Sequence, residues 1–169
     1  MAAGCLRASV DGWPAKGGSS LWSGVTPVSS HSSRPGSNAF IRSADHQDLD
    51  RFAAELADAR TRLGPILLAV LWVRSCAPQS LLAAAEAVAP GGRVVRVVGS
   101  SASAASDESA ETIRRRFGSG YQEVRLGAVA TSAGPRWLTE AEISDGVHKA
   151  IESGAGDVLV GNHRASEQR

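Results

Sequence analysis

Cysteine, lysine, methionine and tyrosine are all scarce in this chain of 169 residues. The two cysteines, Cys5 and Cys76, form neither a metal-ligand spacing nor a disulfide framework, so no metal site is expected. Such sparing use of cysteine is the pattern of a reducing, cytoplasmic setting. No uninterrupted apolar run approaches the roughly 18 residues of a membrane span. The opening stretch, Met1 to Val10, holds one arginine and lacks the apolar core of a secretory signal. Charge of one sign is also missing: 18 basic against 17 acidic side chains leave a net charge of +1. A balance that close to zero excludes a global attraction to nucleic acid or to an anionic membrane.

What is present falls into two compositions. Residues 1–44 contain ten Ser, six Gly and three Pro, but only seven Leu, Ile, Val or Phe. Four bases there (Arg7, Lys16, Arg34, Arg42) face one acid, Asp11. No helical or strand period persists before Phe40. A segment of this kind buries too little apolar surface to offset the entropy of ordering it. Residues 1–44 therefore read as disordered, residues 45–161 as one α/β domain, and residues 162–169 as a polar tail.

The body alternates helix and strand. Leu49, Phe52, Ala53, Leu56 and Leu63 recur at helical spacing, with Asp45 or Asp48 able to cap the start and Gly64-Pro65 ending the run. Ile66 to Val73 is continuously apolar, which suits a strand covered on both faces of a parallel sheet. A second helix is predicted over Gln79 to Ala89, with Pro78 in its first turn and Pro90-Gly91-Gly92 stopping it. Val94, Val95, Val97 and Val98 form a β-branched strand ending at Gly99. Glu108 to Phe117 reads as a helix and Tyr121 to Ala130 as a strand. Thr139-Glu140-Ala141-Glu142 is a capping-box pattern, opening a helix with the stripe Ile143, Val147, Ala150 and Ile151. Val158 to Val160 is a last short strand. This order predicts an α/β, Rossmann-like fold with a mainly parallel sheet.

In order, four stretches resemble the later two-thirds of a short-chain dehydrogenase/reductase, of an atypical, actinobacterial type. Phe40-Ile41-Arg42 with Asp45 is similar to the family's third strand and the Asp that contacts adenine. Ile66 to Ala77 resembles its fourth strand and exit, with Val73-Arg74-Ser75-Cys76-Ala77 where the family has Asn-Asn-Ala-Gly. Arg93 to Ser101 resembles the fifth strand, which ends near the catalytic Ser. Tyr121 through Gly161 is similar to the last helices and strands. The resemblance implies NAD or NADP as cofactor, Asp45, Arg74, Ser75 and Gly99 as cofactor-binding positions, and Ser100 and Ser101 as catalytic candidates.

Two family features are missing. No glycine of residues 1–44 lies in a Gly-rich turn between a strand and a helix, so the pyrophosphate site of the first strand is not seen. The helical Tyr-x-x-x-Lys pair is absent as well. Tyr121-Gln122-Glu123-Val124-Arg125 imitates its spacing, but in a strand these ends stand about 13 Å apart. A strand-start aromatic packing on the sheet is the plainer reading of Tyr121. The domain is thus expected to be truncated or atypical at its amino end.

Other candidates have plain alternatives. Gly99-Ser100-Ser101-Ala102-Ser103 lacks the second glycine of a nucleophile elbow. A Cys76 thiolate would be favoured by Arg74, although an inert thiol is the ordinary reading. His46, His148 and His163 are too scattered for a metal site. Arg114-Arg115-Arg116 reads as a solvated helix face. Trp137 is expected to cover the sheet end rather than line a cleft.

Three readings of function follow. The first is a degenerate short-chain dehydrogenase/reductase-like protein with weak or no oxidoreductase activity. The second is a working NAD(P)-dependent oxidoreductase with atypical site residues. The third is a non-enzymatic module that pairs, as a homo-oligomer or with a partner chain, through an open sheet edge. Neither nucleic acid nor membrane is an expected partner.

Overall fold

The computed structural model of the chain describes residues 21–23, 40–42, 44–73, 77–99 and 107–162. Two short strands come first, β1 (Leu21–Ser23) and β2 (Phe40–Arg42), then helix α1 (Leu49–Leu63) and strand β3 (Ile66–Leu71). Helix α2 (Pro78–Glu86), strand β4 (Val88–Val98), helix α3 (Glu108–Phe117) and strand β5 (Tyr121–Leu126) follow. A hairpin of β6 (Ala128–Thr131) and β7 (Gly134–Trp137) leads to helix α4 (Glu140–Ser153) and strand β8 (Asp157–Val160). From α1 to β8 the predicted alternation is observed, with the β6–β7 hairpin inserted before α4.

β3, β4, β5 and β8 form a four-stranded sheet in that order, with every pair parallel. Side chains alternate across a strand, so each face gathers its own core. Val94 and Tyr121 point to one face, where α2 and α3 contribute Leu81, Ala85 and Ile113. Val95, Val97, Val124 and Leu126 point to the other, where α4 contributes Ala150 and Ile151. α1 lies beside α2 on the first face, its Phe52 packed with Ala44 and Ala84. Val94, Val95 and Val124 are inaccessible to solvent, which is the doubly covered environment that continuous β-branched runs suit.

The helix ends obey the local signals. Asp48 caps α1 by accepting from the Arg51 amide, and Gly64 closes it at φ 87°. Asp107 caps α3 through the amides of Ser109 and Ala110. Thr139 and Glu142 complete the reciprocal capping box of α4, and Gly154 ends that helix in the left-handed conformation. Gly146 sits where a Cβ would fall 2.3 Å from Val160 Cγ1, so its bare backbone lets α4 lie close on β8.

Two expectations need correction. α2 stops at Glu86, before Pro90-Gly91-Gly92, and β4 already starts at Val88. The ladder then jumps from the pair Ile66–Val88 to Leu68–Arg93, so Pro-Gly-Gly forms an irregularity in the strand instead of a helix stop. Proline has no N–H for a ladder, and Gly91 adopts φ 78°, so both suit a bulged stretch. The predicted strand Tyr121 to Ala130 breaks at Gly127, and its second part pairs antiparallel with Gly134–Trp137. That return strand is short, exposed and carries Pro135, so no apolar alternation announces it. Within residues 1–44, β1 and β2 pair in parallel from Leu21–Phe40 to Ser23–Arg42.

Ile113 is the largest wholly buried side chain on the α3 face. Ile113→Ala should cost about 2–5 kcal/mol through lost transfer energy and the cavity left behind. Equilibrium urea unfolding should show a lower midpoint with an unchanged slope.

Candidate functional site

Open parallel sheets bind ligands beyond the carboxyl ends of their strands, because the loops there converge on one rim. Here that rim follows Leu71, Val98, Leu126 and Val160. Of the residues singled out from sequence, Arg74, Ser75, Cys76, Ser100, Ser101 and His163 lie outside the described residues. Asp45 is solvent-exposed at the entry to α1. Its Oδ1 accepts the Gln47 amide at 2.9 Å, and its carbonyl accepts the Asp48 amide at 3.1 Å. The carboxylate thus shapes a local turn while still facing solvent. The next residue is fastened to α2, because Ser80 Oγ donates to the His46 carbonyl. Gly99 directly follows β4, and a Cβ at that position would meet nothing within 4 Å.

The structure assembles a polar cluster that sequence reading missed. Arg96 interrupts the valine run of β4, and its side chain is only 9% exposed. It projects to the α3 face, where Nη2 donates to Asp107 Oδ2 and Nη1 lies 3.4 Å from Glu123 Oε2. Glu123, on β5, also accepts from Arg125 Nη2 at 2.6 Å and from the Tyr121 hydroxyl at 3.2 Å. Two guanidinium groups therefore meet two carboxylates beneath the first turn of α3. The cluster's sequence signal is a charge inside an otherwise apolar strand, Val94-Val95-Arg96-Val97-Val98.

The chain's single tyrosine belongs to this cluster. Tyr121 is buried at the start of β5, as its plainer reading predicts, with the Arg114 guanidinium 5.0 Å from its ring centroid. Burial, and then the negative charge of Glu123, push the phenol above its usual pKa, against an opposing effect of Arg96. The hydroxyl is thereby held protonated as a donor to Glu123, the reverse of an activated proton donor. Among the described residues no helix supplies the missing pair. Tyr121 is in a strand, α3 reads Glu-Ser-Ala-Glu-Thr-Ile-Arg-Arg-Arg-Phe, and Lys149 on α4 is paired with Asp145 at 2.7 Å. The three consecutive arginines diverge as expected of a helix surface. Arg114 reaches toward Asp157, Arg115 toward Glu111, and Arg116 lies over Phe117.

A second construction stands on the same rim. The β6–β7 hairpin is tied to β8 by the Gly127 amide on Val160 O and the Asn162 amide on Ala128 O. Its outgoing strand is braced to α4, with Arg136 making a two-pronged contact with Glu142 at 2.7 and 2.8 Å. Glu142 also accepts from the Thr139 amide and hydroxyl. The Arg136 contact chiefly, and then the Thr139 bonds, hold the Glu142 carboxyl down to about 2. Trp137, expected to cover the sheet end, is instead 65% exposed. It pairs opposite Ala128 on a hairpin lying outside the core, so no apolar layer closes over it.

No family model matches the chain, and neither does any curated protein. Solved structures do. A mutant of a Serratia marcescens short-chain dehydrogenase/reductase superposes with a TM-score of 0.56 at 15% identity, over 75% of this chain and 76% of that one. A protein described as a short-chain dehydrogenase from Novosphingobium aromaticivorans superposes at 0.50 and 11% identity, over 78% of this chain and 63% of that one. The fold is short-chain dehydrogenase/reductase-like. At these identities the likeness concerns the fold alone, and the site must be judged on its own residues.

The described residues do not assemble the proton-transfer set that the family resemblance implies, and they support no step through a nicotinamide. Among them no group of three or more His, Cys, Asp or Glu is placed to hold a metal, and no helix is long and apolar enough to cross a membrane.

Arg96→Met should destabilise the protein by roughly 3–5 kcal/mol, because Asp107 and Glu123 both lose the buried guanidinium, leaving Glu123 only Arg125 and Asp107 only its amide donors. Adding Glu123→Leu should recover part of that loss, as a double-mutant cycle in urea would show. The brace at Glu142 has its own pH signature. A carboxyl whose folded pKa is depressed contributes stability that is present above its ordinary range, and that contribution fades as pH falls toward about 2. Glu142→Gln should lower the melting temperature near neutrality and flatten its decline between about pH 5 and pH 2.

Proposed function

We propose that this chain is a degenerate short-chain dehydrogenase/reductase-like protein with weak or no oxidoreductase activity. On this reading residues 45–161 are its α/β domain, flanked by residues 1–44 and 162–169. The observation that carries it is the state of Tyr121. The only phenol in the chain is buried in a strand, donates to Glu123 and is held protonated, with no lysine one helical turn away. General acid–base transfer needs a group poised near the working pH and aimed at the substrate. Tyr121 meets neither condition. The short-chain dehydrogenase/reductase-like fold supports the ancestry of the domain, and the rim beyond the strands remains the place where NAD or NADP would sit. Asp45, Arg74, Ser75 and Gly99 are the positions proposed to face that nucleotide, and Ser100 and Ser101 those proposed to face a substrate.

A thermal melt with each of NAD, NADH, NADP and NADPH, together with an assay of NAD(P)H oxidation over a panel of aldehydes and ketones, tests this reading. A ligand at 100 times its Kd adds about 2.7 kcal/mol to the folded state, roughly 5–10 °C for a domain of this size. The expected result is a cooperative melt with no substrate-dependent turnover. A shift of that size with turnover would overturn the proposal in favour of a working enzyme with atypical residues.

A further inference from the structure

The β6–β7 hairpin stands in a definite lane of the sheet. β5 has β4 on one edge and β8 on the other. The ladder to β8 runs on past the break at Gly127, where the Gly127 amide donates to Val160 O and the Asn162 amide to Ala128 O. The edge of β6 toward β8 is therefore taken. β7 pairs along the other edge, from Ala128–Trp137 to Thr131–Gly134, and lower down that edge belongs to β4. β7 thus prolongs the line of β4 beyond the rim, running in the opposite direction, and its last residue, Trp137, lies nearest the rim. Val98 is the partner of Arg125, and Trp137 that of Ala128. Those partners are three residues apart, so Trp137 stands about 10 Å at most beyond Val98. Gly99, next after Val98, has open space where a Cβ would be.

This tryptophan is held firmly and left in water. Arg136 before it grips Glu142 and donates to the Trp137 carbonyl at 2.9 Å, and Leu138 after it packs against the core beneath α4. Trp137 is nonetheless 65% exposed. An indole in water forgoes the gain of burying one of the largest apolar side chains. Fixing it there reduces the entropy still to be lost when something stacks on it. The chemistry of the hairpin narrows what that is. Residues 128–137 carry one charge, Arg136, and Glu142 already holds it with two hydrogen bonds. A charged ligand would find no free partner on the hairpin, whereas a flat uncharged ring would find an indole face. Trp72, directly after β3, is 44% exposed, so a second indole stands at the same rim one lane away.

We propose that Trp137 is the stacking surface of this rim, and that the ligand it takes beyond the end of β4 is an uncharged, planar aromatic compound. This rests on the same reading of the rim as a binding place, but not on whether the bound molecule is turned over.

Saturation-transfer NMR titrations of the full chain with acetophenone, and with cyclohexyl methyl ketone as its non-planar counterpart, test this. The expected result is saturable binding of acetophenone and weaker binding of the cyclohexyl ketone. Trp137→Ala should weaken acetophenone at least about fivefold, the usual scale for losing an aromatic stack, with the melting temperature unchanged. Trp137→Phe should keep most of the affinity, and Leu159→Ser, which removes an exposed apolar side chain from β8, should keep all of it. The proposal is overturned if acetophenone does not bind saturably, if the two ketones bind equally, or if Trp137→Ala binds as the unmodified chain does. Binding that disappears as the solution mass doubles would also overturn it, by making a second copy the occupant of Trp137. Should Trp137→Ala fail to fold, Overhauser effects from acetophenone ring protons to the Trp137 indole of the unmodified chain decide, and their absence overturns the proposal. Oxidation of NADH or NADPH by the bound ketone would support the stacking site while overturning the degenerate reading.

Discussion

A charge in the middle of the most buried strand governs this molecule. β4 is sealed on both faces, and Val94, Val95, Val97 and Val98 need no more than that. Arg96 does. A buried guanidinium without partners costs several kcal/mol, so the surrounding elements are disposed to meet it. Asp107 reaches it from the start of α3 and Glu123 from the neighbouring strand. The same Asp107 accepts the first free amides of α3. One carboxylate thereby links the helix cap to the sheet and sets where the connection after β4 comes to an end. The same Glu123 engages Arg125 and Tyr121. Through Asp107 and Glu123, the start of α3, the only phenol and β5 are all tied to the guanidinium in β4.

That arrangement has a functional cost. A phenol raised by burial is a poor proton carrier near neutral pH. The polar groups beneath α3 are committed to structure. What remains outward on the rim is of a different kind: Asp45 in its turn before α1, and Trp137 on a hairpin clamped by Arg136 and Glu142. The fold is short-chain dehydrogenase/reductase-like, and its one tyrosine lies in the core.

The sheet is uneven in its cover. Three helices share one face, and α4 serves the other by itself among the described residues. Buried Gln122 and Arg93 bind α4 closely to its strands, through the Ala150, Ala155 and Ile151 carbonyls. The side of α4 is therefore firmly attached across β4, β5 and β8, whereas Leu68 and Val70 of β3 are only partly covered on that face. The molecule is most complete where its later strands lie and least complete at β3, where the chain enters the sheet.

Local order was legible in the residues themselves. The period of Leu49, Phe52 and Leu56, the continuous Ile66 to Val73 run, the acidic cap before Leu49 and the Thr139–Glu142 box depend on neighbours within a few positions, so they predict α1, β3 and α4 directly. The lack of a helical Tyr–Lys pair is likewise a property of the sequence, since one tyrosine followed four residues later by Arg125 leaves no alternative. Features that rest on distant partners were not legible. Pro90-Gly91-Gly92 is a helix stop by local rules, yet the ladder to β3 draws it into a strand. Gly127 gives no sign that the chain turns there, because the hairpin is held by Val160 and Asn162 from the far end of the domain. Trp137 has the composition of a core residue and is left in solvent by the hairpin that carries it. Arg96 interrupts an apolar run, and its partners Asp107 and Glu123, 11 and 27 positions away, are brought to it only by the fold. Propensity and capping act over one turn of chain and were written in the sequence. Charge pairing, strand register and exposure are decided between elements, and only the tertiary structure could settle them.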